Sequence, residues 1–94
     1  MSKSNFFHIY LRPRLGVAPK HVETAINAAS SDWIRYDDFN WMIYSKLDVL
    51  QLNTQLGPLV KPEGNLLVLV LDVRDRSGWM PKAVWEWLRE VRND

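Results

Sequence analysis

Asn65-Leu-Leu-Val-Leu-Val-Leu-Asp-Val73 is the stretch on which the fold turns. It is rich in β-formers, apolar at successive positions and far shorter than a bilayer span, which predicts a strand buried on both faces. Alternation sends Leu66, Val68 and Val70 to one side and Leu67, Leu69, Leu71 and Val73 to the other. Both sides then need apolar cover, and the remainder of the chain is expected to supply it around a central strand.

The amount of chain sets what that cover can be. Ninety-four residues suit one domain. Twelve Lys plus Arg against eleven Asp plus Glu give a net charge of +1, with no global pull toward nucleic acid or anionic membranes. The absence of Cys excludes disulfides, thiolate nucleophiles and Cys-based metal sites, and only His8 and His21 supply imidazoles. The N-terminal Met-Ser-Lys-Ser-Asn lacks a secretory leader pattern, and no apolar run approaches the roughly 20 residues of a membrane helix. A cytoplasmic protein with no membrane contact and no cofactor is expected. Five Trp cluster at Trp33/Trp41 and Trp79/Trp85/Trp87.

Outward from the apolar stretch, Lys61 to Gly64 reads as the turn before it and Arg74 to Gly78 as the polar loop after it. Upstream, Asp48 is placed to cap a helix with Val49, Leu52, Leu56 and Leu59 on one stripe. Trp33–Tyr36 and Phe39–Ser45 read as a hairpin bent at Asp37-Asp38. Pro19 opens an earlier helix with Val22, Ala25, Ile26 and Ala29 on its apolar face, and Phe6 to Arg12 alternates as a first strand. Downstream, a last helix begins at Pro81 as its first residue, with Val84, Trp87, Leu88 and Val91 in register.

The order strand, helix, strand, strand, helix, strand, helix predicts an α+β, ferredoxin-like βαββαβ sandwich with an additional C-terminal helix. Right-handed crossovers put the first two helices on one face of the sheet. The opposite face then needs the C-terminal helix, a second subunit or another protein partner, and a homodimer is the expected solution.

Two segments carry a family resemblance. Trp33-Ile-Arg-Tyr36 with Trp41-Met-Ile-Tyr-Ser45, and Gly78-Trp-Met-Pro-Lys-Ala-Val-Trp-Glu-Trp-Leu88, resemble small bacterial SinR-like proteins related to the ferredoxin-like CRISPR adaptation nuclease-like subunit. The resemblance implies a ferredoxin-like domain that dimerises through its sheet, in a group with spacer-acquisition subunits and toxin ribonucleases. It also implies a metal-binding Asp at the end of the first strand. Here that position falls in Ile9-Tyr10-Leu11-Arg12, without a carboxylate to hold Mg²⁺, so no catalytic residue transfers.

Among the remaining candidates, Asp72 and Asp75 are the best carboxylate pair for a metal-dependent endonuclease, against a plainer reading as partners of Arg74 and Arg76. Asp37 and Asp38 are adjacent and read as turn residues. His8 and His21 lack a nucleophile or metal partner at recognisable spacing. Arg12, Arg14 and Lys20, joined by Arg35, could form a phosphate patch beside Tyr10 and Phe6 as stacking rings, which would make the protein a nucleic-acid binder. Tyr10, Trp79, Trp85 and Trp87 are the interface candidates, with Trp85 and Trp87 on different helix faces. The expectation is a non-catalytic association module with a place in bacterial or phage defence, and the alternatives are nucleic-acid binding or metal-dependent cleavage.

Overall fold

The computed structural model describes residues 3–92. Its elements are β1 (Asn5–Arg12), α1 (Pro19–Ala29), β2 (Asp32–Arg35), β3 (Asn40–Ser45), α2 (Val49–Leu56), β4 (Asn65–Leu71) and α3 (Lys82–Arg89), with a 3-10 turn at Gly57–Leu59. The strands form one antiparallel sheet in the order β2-β3-β1-β4. The architecture is α+β.

Local chemistry fixes the boundaries. Asp48 and Gln51 cap α2 reciprocally: the Asp48 carboxylate accepts from the Gln51 N–H at 2.8 Å, and the Gln51 side-chain oxygen accepts from the Asp48 N–H at 2.9 Å. The helix stops at Leu56, earlier than the Leu59 stripe predicts, and the chain tightens into the 3-10 turn over Pro58. A proline has no N–H for a further helical bond and crowds the preceding turn. Between β2 and β3, the Asp37 carboxylate accepts from the Phe39 N–H at 3.0 Å and from the Asn40 amide at 2.8 Å, so Asp37 holds the bend that its sequence position suggests.

One face of the sheet carries the main core. Phe7, Ile9 and Leu11 of β1 and Trp41 and Ile43 of β3 lie in it, under Val22 and Ile26 of α1 and Leu52 and Leu56 of α2. Both crossover helices therefore sit on the same side, as right-handed connections require. The buried Ser45 hydroxyl donates to the Ala29 carbonyl at 2.6 Å and accepts from the Leu47 N–H at 3.1 Å, which joins the sheet to the end of α1 without an unpaired group.

The apolar stretch departs from its predicted place. β4 is an edge strand; β1 and β3 occupy the interior. Only Leu66 and Val68 are half-buried against the core, whereas Leu67, Leu69 and Val70 are 51%, 47% and 62% exposed. A continuous apolar run records that a strand has no polar side, and it does not record how many neighbours it has. The interior position belongs to β1, whose His8 and Tyr10 make it look half-solvated.

Two further expectations need correction in the C-terminal segment. Pro81 is the residue before α3 and Lys82 its first, and Val91 lies beyond the helix at 90% exposure. Val84 and Trp87, three apart, form the buried stripe. Trp87 meets Phe6 edge-on with ring centroids 5.8 Å apart, and Phe6 alternates away from Phe7 and the main core. The helix thus lies on the side of the sheet opposite α1 and α2.

Candidate functional site

Strand register assembles the second face from Phe6, His8 and Tyr10 of β1, Met42 and Tyr44 of β3, Ile34 of β2, and Leu67, Leu69 and Leu71 of β4. The C-terminal segment covers one end of it. The Arg92 guanidinium stacks over Trp87 at 4.1 Å and over Phe6 at 5.3 Å, and its Nε donates to the Asp32 carboxylate at 2.8 Å. Arg92 also donates to the Trp87 carbonyl at 2.7 Å, so one planar side chain pins helix, strand β1 and strand β2 together. Nothing in the sequence pattern marks Arg92 for this role, because its partners are 60 and 86 positions away in the chain or stacked rings without charge.

Beyond the reach of Arg92 the face stays open. Tyr10 is half-buried and sits directly across from Leu67, with its ring edge-on to Phe39 at 6.4 Å. His8 lies between Met42 and Leu69, and its Nε2 shares a hydrogen bond with the Tyr36 hydroxyl. Burial pulls the His8 imidazole below its ordinary value, partly countered by Asp37, and the same burial raises the Tyr36 phenol with help from Asp37. The pair is therefore neutral near pH 7, and the middle of this face is an apolar surface with one polar bridge. Tyr36 was legible only as the end of a strand; its partnership with His8 depends on a fold contact across 28 residues.

The predicted basic patch does not assemble as a unit. Arg12 alternates with Tyr10 toward the open face, while Arg35 pairs with Trp41 and belongs to the helix-covered face. The Arg35 guanidinium lies 5.3 Å over the Trp41 ring and donates to the backbone carbonyls of Asp37 and Asp38 at 3.1 and 2.9 Å. Glu23 and Asp38 carboxylates stand 3.7 and 3.8 Å from it, so its charge is already answered. Arg14 donates through Nε to the Pro58 carbonyl at 3.2 Å, and Lys20 is exposed in the first turn of α1. A cleft of about 270 Å³ lies beside Arg35, between Pro19 and Val22 of α1 and Phe39 and Trp41 of the hairpin.

Of the acidic candidates, Asp75 is exposed and Asp72 is taken up by its neighbour. Both Asp72 oxygens face Arg74, with Nε to Oδ1 at 2.9 Å and Nη2 to Oδ2 at 2.8 Å. Those side-chain hydrogen bonds, with one from the Arg74 N–H, lower the Asp72 carboxyl to about 2. Among the described residues no group of three or more His, Asp or Glu is gathered as for a metal ion. Trp79 is 99% exposed and Trp87 7%, while the half-buried Trp85 donates its indole N–H to the Met80 carbonyl at 3.2 Å. His21 is exposed on α1. Among the described residues no helix is long and apolar enough to cross a membrane.

Comparison with family models, with curated proteins and with solved structures finds no match for this chain.

Proposed function

We propose that the protein is a ferredoxin-like association module that works as a homodimer and performs no chemistry of its own. The ferredoxin-like assignment draws on the element order and on the strand order, which reads β4-β1-β3-β2 from the opposite edge. The observation that carries the association reading is the half-exposure of Leu67 and Leu69 on a sheet side that α3 closes at one end only. Apolar side chains side by side in this way mark a surface that is covered by something. The SinR-like resemblance suggests a setting in bacterial or phage defence, and the family name alone supports that setting.

The test is light scattering across the size-exclusion peak of untagged protein, with absorbance read at protein and nucleic-acid wavelengths. A mass of two chains without nucleic acid is the expected result. A peak loaded with nucleic acid overturns the reading in favour of Arg12, Arg14 and Lys20 as a phosphate-binding group, and a bare monomer overturns self-association.

A further inference from the structure

The two edges of the sheet are built differently. β2 is four residues long, begins with Asp32 and ends with Arg35, and Arg92 closes over its start. Short, charged and covered edges are how proteins keep strands from adding to a sheet. β4 has none of these devices. It runs seven residues, Asn65–Leu71, without a charge or a proline, and pairs with β1 residue for residue from Arg12↔Asn65 to Phe6↔Leu71 with no bulge. Among the described residues, no backbone hydrogen bond outside the β1 ladder reaches any of these seven. The outward N–H and C=O groups of β4 are thus a free ladder, flanked by half-exposed leucines on one side and by Val70 at 62% exposure on the other.

We propose that this edge pairs with β4 of a second copy, antiparallel about a two-fold axis at Val68, joining two four-stranded sheets into one of eight strands. The inference rests on the homodimer reading and moves its seam from the sheet face, where Tyr10 was expected to lie, to the sheet edge. The strand is complementary to itself. With Val68 opposite Val68, Leu67 meets Leu69 of the second copy on the open side, and Leu66 meets Val70 on the helix side. Each exposed side chain on either side of the edge gains an apolar cross-strand neighbour, and no charge enters the seam. At each end, the turn that carries Lys61 and Glu63 comes beside the segment that carries Asp72 and Arg74 of the second copy, so both signs face both signs. The open face also becomes continuous across the axis.

The experiment reads amide exchange and mass on the full chain. At concentrations where the wild type is dimeric, edge pairing makes successive amides from Leu66 to Val70 slow to exchange. An alternation of slow and fast amides along β4 overturns the proposal whether or not any variant folds. Val70→Lys places a charge on the helix side of the edge, away from the open face, and is expected to halve the mass. Tyr10→Arg, one strand in from the edge, is expected to leave the dimer intact. A dimer that survives Val70→Lys and is lost in Tyr10→Arg overturns edge pairing while the dimer reading stands. A monomeric wild type overturns both.

Discussion

Arg92→Ala removes the polar clamp that, beside the Trp87–Phe6 ring contact, holds α3 to the sheet. The guanidinium is 9% exposed and makes a charged hydrogen bond to Asp32 at 2.8 Å, a bond to the Trp87 carbonyl at 2.7 Å, and a stack on the Trp87 ring at 4.1 Å. A hydrogen bond to a charged group contributes about 1.5–3 kcal/mol and a cation–π stack about 0.5–2 kcal/mol. Asp32 is 34% exposed and regains water when its partner leaves, so the lower ends apply and the expected loss is about 2 kcal/mol. In urea this moves the midpoint by roughly 1–2 M, taking the slope usual for small domains. The measurement is made at fixed protein concentration, since association shifts apparent stability. Arg92→Lys keeps the charge and loses the plane, and it recovers less than half of the loss. Combining Arg92→Ala with Asp32→Asn yields a coupling of about 1 kcal/mol in a double-mutant cycle. A loss below about 0.5 kcal/mol, or a coupling of zero, refutes the assignment of Arg92 as the clamp.

Other perturbations test the bridge, the loop and the turn. His8 is held below its ordinary value of 6.5, so folding favours the neutral ring; stability is full above pH 6.5 and declines as pH falls through the window below it. His8→Leu flattens that decline in a urea titration across pH, and a slope unchanged by the substitution counts against it. Asp72 stays ionised down to about pH 2 because of Arg74, and carbon NMR of Arg74→Ala shows its midpoint rising toward the ordinary 3.8. Gly64→Ala drives a Cβ into the Arg12 carbonyl oxygen and to 2.8 Å from the Val60 oxygen and 2.9 Å from the Arg14 nitrogen, at a cost of about 1–3 kcal/mol or more by thermal melting. Asp48→Ala opens the reciprocal cap on α2 and costs about 1 kcal/mol, with helix signal lost before the sheet.

The elements were legible because their signals are local. The alternation in β1, the Asp48 cap, Pro19 at the start of α1 and the three-and-four spacing of Val22, Ala25, Ile26 and Ala29 each depend on a few neighbouring residues. Position within the sheet was not legible, since the same Leu-Val run serves an interior strand or a bare edge and only the pairing decides. The candidate site fared likewise. Tyr10 was placed on the less apolar side of its strand by alternation, but the His8–Tyr36 bridge and the Arg92 clamp arise from contacts between distant segments. Arg35 misled for the same reason, because its charge suits a patch with Arg12 while the sheet stands between them.

Trp41 and Trp87 lie in separate apolar compartments on opposite sides of one sheet, and Trp79 stands in water. The chain therefore carries built-in optical reporters. Among the described residues neither buried indole N–H has a hydrogen-bond partner, so both emit at the blue end, while Trp79 supplies a constant red component. Detachment of α3 shifts the shares of Trp87 and of Trp85 on the same helix and leaves those of Trp41 and Trp33, whereas collapse of the main core shifts all four. Quenching by iodide across a denaturant series then distinguishes release of the C-terminal helix from unfolding of the sheet in a single cuvette.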